Sequence, residues 1–197
     1  MLKLDKALVE RLRKLPFDDD FANLDSLRGE FSRKLHSRKE KYLDSKEFEQ
    51  ILCWKLDTQA QRSKQLRSSN VDGLIIPITK AYFNLKSENF DYETEVKIKI
   101  LTSLKGVGTP LASAVMAITE PQKYCIIDSV LWEYIFNEEK SSFTTNDYLK
   151  FHRIILELSE KLERDVQKTE FTLSNYLWFL NKKFFYRANF FLCVKLK

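Results

Sequence analysis

Leu104-Lys105-Gly106-Val107-Gly108-Thr109-Pro110-Leu111-Ala112-Ser113-Ala114 is the stretch that decides the fold. Upstream, Val96, Ile100, Leu101 and Leu104 recur at helical spacing. Downstream, Leu111, Ala112, Val115 and Met116 do the same, with small residues between them. The chain has only four glycines, and Gly106 and Gly108 stand two positions apart in this junction. Such a pair suits backbone that other residues avoid. Thr109 can cap the second helix, and Pro110 suits its first position, where no N–H is needed. The expectation is two helices joined by a tight glycine hairpin whose backbone N–H groups face outward. That arrangement suits a phosphate.

The same residues resemble the helix-hairpin-helix of the DNA glycosylase superfamily, endonuclease III type. The family hairpin reads Leu-Pro-Gly-Val-Gly followed by small residues, and Leu104-Lys105-Gly106-Val107-Gly108 stands here. In the family an aspartate follows a short apolar run, eighteen positions after a hairpin site that holds a lysine in some members. Pro110 occupies that site, and eighteen positions on, after Tyr124-Cys125-Ile126-Ile127, stands Asp128. Val130, Leu131, Tyr134 and Ile135 then begin another helix. The close match covers residues 96–136.

The resemblance implies an all-α, helix-hairpin-helix glycosylase-like fold with two helical lobes around a cleft. It would be one domain over residues 1–197, with the hairpin in 92–118 and the Asp-bearing segment in 119–136. It implies DNA gripped mainly through backbone phosphates by Lys105, Gly106, Val107, Gly108 and Thr109, without sequence reading. It assigns Asp128 to catalysis. Breaking the C1′–N bond of a flipped nucleotide puts positive charge on the sugar, and a fixed carboxylate stabilises it. Proline cannot form a Schiff base. The expected enzyme is therefore a monofunctional glycosylase without lyase activity, unless a lysine from elsewhere reaches C1′. Three cysteines are too few for the four-cysteine iron–sulfur cluster of some relatives. No cofactor is expected, although the resemblance admits a monovalent cation at the hairpin.

The chain departs from the family after Asp128, where Ser129-Val130-Leu131-Trp132 lacks the usual basic residue. An aspartate before a helix is also commonly only an N-cap. Two alternatives therefore stand beside the enzyme: a non-catalytic DNA-binding module, and an interaction scaffold.

Charge is modest overall, at +5, and uneven. Residues 33–67 hold ten Lys/Arg against five Asp/Glu, and residues 181–197 hold five Lys/Arg and no acid. Two basic segments fit an anionic partner, or simply solvated helix faces. Arg62 and Lys64 join the candidate DNA contacts. Trp54, Lys55, Tyr124 and Trp132 are candidates for a base pocket, with core packing as the alternative for the aromatics. Cys53, Cys125 and Cys193 show no metal or redox spacing, nor do His36 and His152, so no metal site is expected. The expected compartment is intracellular, cytoplasmic or nucleoid-associated in a prokaryote, with no membrane segment.

The remaining helices follow from periodicity. Leu4, Leu8, Leu12 and Leu15 form a first helix ended by Pro16, and Asp18-Asp19-Asp20 starts a second through Phe31. Asp44 opens a helix through Trp54, and Asn70 or Asp72 one containing Pro77. Thr145 or Asn146 starts a long helix, and Thr172 or Ser174 the last. The aromatic, basic tail 184–194 can dock on the body, mark a self-association surface or touch a phosphate.

Overall fold

The structure, a computed structural model, describes residues 2, 4–15, 19–56, 59, 61 and 63–194, with the side chains of 19–21 and 181–194 outside the description. It is all-helical: α1 (Lys6–Arg13), α2 (Asp19–His36), α3 (Ser45–Leu56), α4 (Lys64–Arg67), α5 (Asp72–Asn84), α6 (Phe90–Thr102), α7 (Thr109–Thr119), α8 (Ser129–Phe136), α9 (Thr145–Leu162) and α10 (Val166–Val194). Among the described residues there is no strand, and no helix is long and apolar enough to cross a membrane. Pro16, Asp18 and the tail side chains singled out above lie outside the described residues.

Side chains set most helix starts. Asp5 accepts from Leu8 N (2.8 Å) at α1, and Asn89 from Tyr92 N (3.0 Å) at α6. Asp44 and Glu47 bond each other's backbone N–H at the start of α3, and Thr144 and Asp147 do the same at α9. These reciprocal pairs satisfy donors that the helix itself cannot.

Three starts differ from the sequence expectation. Gly108, not Thr109, is the N-cap of α7, so Thr109 and Pro110 take its first two positions. Val71 precedes α5 and supplies no capping side chain, because Asn70 is turned toward the hairpin. The last helix begins at Val166, well before Thr172. Its first turns bury Gln167, Thr169 and Glu170, so an apolar repeat could not reveal them.

α7 is the centre of the core. Leu111 to Ile118 are all buried, consistent with a helix apolar on every side. It packs against α2, α3 and α6, while α5 bridges α3 and α6. α1, α8 and α9 gather around α10 or one another, and α6 also touches α9.

Candidate functional site

The junction between α6 and α7 is a tight turn. Leu104 N donates to Leu101 O, and Val107 N donates to Leu104 O. Leu104 and Val107 are buried and pin the turn to the core. Gly106 has φ +74°, a region that disfavours side chains, and a Cβ there would lie 3.0 Å from Arg67 Cγ and 3.2 Å from Leu66 Cβ. Two constraints thus require glycine at one position: the dihedral and the close approach of α4.

The turn is also held from behind. Asn70 Nδ2 donates to Lys105 O (2.8 Å), and Lys105 N donates to Asn70 Oδ1 (3.0 Å). Arg67 fixes α4 by donating to Glu49 Oε1 (2.7 Å) and Oε2 (3.2 Å) on α3. Burial pushes the Glu49 carboxyl up, Arg67 pulls it down, and the net is below the usual carboxylate range. Lys105 itself is exposed. The N–H groups of Gly106, Gly108 and Thr109 have no acceptor among the described residues.

Asp128 is presented by an unusual segment. Tyr124 to Ile127 are buried and non-helical, with no neighbouring strand to take their backbone groups. Side chains from three helices do so instead. Cys125 N donates to Tyr148 Oη (3.4 Å), whose hydroxyl donates to Cys125 O (3.1 Å). Ile126 N donates to Glu170 Oε2 (3.3 Å), and Ile127 N to Ser113 Oγ (3.2 Å). Buried backbone groups need such partners, and these place the next residue. Asp128 caps α8 by accepting Leu131 N at Oδ1 (2.9 Å), while Oδ2 lies 3.4 Å from Lys55 Nζ.

Hairpin and aspartate share one cavity of about 440 Å³. Gly106, Gly108, Pro110, Asp128 and Lys55 all line it. Gln59, Ser63, Ser129, Ser141 and Phe143 complete much of the wall. Behind Asp128, Glu170 is fully buried on α10. Burial is the main cause of its carboxyl being pushed up to about 8; Lys55 works against this and Asp128 adds to it.

Of the residues expected at a base pocket, only Lys55 lines this cavity. Tyr124 is fully buried, with its hydroxyl on Glu93 Oε1 (3.2 Å) and its ring stacked on Phe90. Trp132 is 2% exposed and packs on Phe136 and Phe143. Trp54 is half-buried against the core. The structure therefore places all three aromatics away from the cavity wall and gives it Phe143 as its ring. Lys64 is exposed on α4 and lines a different cavity, of about 610 Å³, together with Glu49 and Arg67. Val107 and Thr109 are buried, and the Val107 N–H is already committed to Leu104 O. Arg62 lies outside the described residues.

His36 bonds Ser32 O within its own helix (2.7 Å). His152 is buried against Lys123 O (2.7 Å), and burial pushes its imidazole pKa down. Among the described residues no three His, Cys, Asp or Glu gather in a set that would hold a metal ion.

Comparison with known proteins gives no matching family model, no matching curated protein and no matching solved structure.

Proposed function

We propose that the protein is a DNA-binding protein of the helix-hairpin-helix glycosylase type that grips duplex phosphates with the α6–α7 turn and excises a damaged base at Asp128. In this reading α2, α3 and α5–α7 form one lobe and α1 and α8–α10 the other, with the cavity as the cleft between them. The observation that carries it is the shared cavity: Gly106, Gly108 and Pro110 of the turn meet the Asp128 carboxylate in one space. Its volume, about 440 Å³, lies within the roughly 300–1,000 Å³ of small-molecule sites. The N–H groups of Gly108 and Thr109, without an acceptor among the described residues and at the positive end of α7, suit a phosphate. Exposed Lys105 adds a charge beside them. Asp128 Oδ2 would stand against the sugar and stabilise the cation formed as the base leaves.

One observation favours the non-catalytic alternative. Asp128 is already both an N-cap and the partner of Lys55, which a purely structural aspartate would also be.

The deciding experiment is excision on duplexes carrying a panel of damaged bases, with wild type beside Asp128→Asn. Asparagine still caps α8, because its amide oxygen accepts Leu131 N. The fold is thereby kept and the charge removed. The expected result is abasic sites that vanish in Asp128→Asn, together with duplex binding that weakens steeply with salt. Salt-sensitive binding with no excision by wild type would establish the binding module instead.

A further inference from the structure

We propose that Glu170 is the positioning residue of Asp128: it fixes the backbone that carries Asp128 and, as a neutral acid, leaves the Lys55 cation to Asp128 alone. That Asp128 is the working carboxylate rests on the reading above, whereas the link from Glu170 to it stands on the geometry behind the cavity. Glu170 is 4% exposed on α10, and its Oε2 accepts Ile126 N (3.3 Å), two residues before Asp128. Tyr148 and Ser113 hold Cys125 and Ile127, on either side, through neutral hydroxyls. A neutral acceptor would serve Ile126 equally well, so the backbone bond alone does not call for a carboxyl. A buried carboxyl is costly when charged. What sets Glu170 apart from the other two supports is that it can change charge behind the pair that lines the cavity.

Lys55 and Asp128 both act on the Glu170 charge, in opposite directions. The Cys125 thiol is also near it, pushed up by burial and then by that charge, and Tyr148 of α9 bonds Cys125. The other elements around α10 add little. α7 carries no ionisable residue, and Glu133 of α8 is exposed. Arg11 of α1 and Tyr134 of α8 are set around Tyr176, and Arg164, between α9 and α10, donates to Thr172 (3.1 Å). Of these cations, Lys55 is the one placed to serve both carboxyls. While Glu170 is neutral, Lys55 Nζ belongs to Asp128 Oδ2 (3.4 Å). Once Glu170 ionises, two carboxylates share one cation, and the buried one has little water to screen it. The ammonium is drawn back toward Glu170, and the pair in the cavity loosens. The two carboxyls thus titrate as one coupled set.

The test reads Asp128 without any nucleic acid. The full chain is isotope-labelled and followed by NMR as pH rises from about 5 to 9.5, a range that brackets the Glu170 step and lies above an ordinary aspartate. The two reporters are the Leu131 amide, which donates to Asp128 Oδ1, and the Glu170 carboxyl carbon. The expected result is that both move together in one step at about pH 8. In Glu170→Gln, whose amide oxygen still accepts Ile126 N, the Leu131 step is lost, and the signal stays where wild type has it below the step. Lys55→Met shifts the Glu170 midpoint up, because the opposing cation is gone. Asp128→Asn shifts it down, because a like charge is gone. A glutamate that only supports the backbone shows neither shift. A wild-type Leu131 amide without an alkaline step overturns the proposal, as does a step that persists in folded Glu170→Gln. A Glu170 midpoint equal in wild type, Lys55→Met and Asp128→Asn also overturns it, and these three decide even if Glu170→Gln fails to fold. Failure of the coupling leaves the excision assay's outcome untouched, and absence of excision leaves the coupling standing.

Discussion

Asn70 holds Lys105 by both ends of its amide, one bond in each direction, across 35 positions of sequence. The contact is buried on the Asn70 side and joins the segment before α5 to the turn between α6 and α7. Removing it leaves the Lys105 N–H and C=O without these partners. Asn70→Ala should cost about 1–3 kcal/mol in denaturant unfolding. On the DNA reading proposed above, it should also weaken duplex binding relative to wild type at equal salt. Unchanged stability would mean that water replaces both bonds.

Gly106 and Gly29 make opposite predictions for the same change. Gly106→Ala places a Cβ at φ +74° and 3.0 Å from Arg67 Cγ, so it should destabilise by about 1–3 kcal/mol. Gly29 sits in α2, and a Cβ added there would meet nothing within 4 Å, so Gly29→Ala should stabilise by about 0.5–1 kcal/mol. Thermal or urea unfolding of the two variants checks both signs.

Glu170 makes stability fall as pH rises from the acid range to about 8. Its carboxyl is pushed from an ordinary 4.5 to about 8 in the fold. Below pH 4.5 the group is protonated whether folded or unfolded. Between 4.5 and 8 the unfolded chain releases the proton and the native one keeps it, so native stability falls as pH rises. The loss is complete above 8, with an upper bound of about 5 kcal/mol. Glu170→Gln removes this loss while its amide oxygen still accepts Ile126 N. The variant should gain stability over wild type progressively from pH 5 to pH 8, measured by urea unfolding at each pH.

Lys97 is fully buried and meets Glu93 (3.0 Å) and Glu120 (2.6 Å), with its ammonium over the rings of Tyr82 and Tyr124. For Glu93, burial opposes the charge, and the Ser87 N–H, Lys97 and Lys123 outweigh it, holding the carboxyl at about 2. That stabilisation is present above pH 4.5 and is lost as pH falls from 4.5 through 2. Lys97→Met should cost about 3–5 kcal/mol at neutral pH, because two carboxylates lose their buried cation. The cost should shrink at pH 4, where protonation begins to relieve them. A cost independent of pH would assign the loss to packing instead.

The sequence carried the helices that are stripes of apolar residues and the turn that needs glycine. Gly106 was legible because its positive φ leaves a local mark, whereas Gly108, at φ −93°, has extended backbone that any residue adopts; Asp128 stood out as a candidate only through its spacing from the hairpin. What holds them was not legible. Asn70 reads as a helix cap until the fold brings Lys105 to it. Glu170 leaves no mark in the sequence, since nothing nearby says that Ile126 N will donate to it. Phe143, in a polar loop, gives the cavity its ring, while the conspicuous Trp54, Tyr124 and Trp132 pack inward or against the core. Aromatic content signals large apolar area, and core and pocket compete for it equally. Lys55 was legible as a candidate only, because its value depends on Asp128 standing 73 positions away.

The segment that presents Asp128 also has a consequence for the order in which the molecule assembles. Its three supporting side chains come from 14, 23 and 44 positions away, and two of them follow it in the chain. Closing those loops costs entropy before any bond rewards it. A nascent chain that has emerged only through α8 already contains the hairpin, Lys55 and Asp128, yet Cys125 and Ile126 still lack the side chains that hold them. The turn, whose partners Asn70 and Arg67 precede it in the chain, can therefore form early, whereas the carboxylate reaches its place only once α9 and α10 have been synthesised and docked.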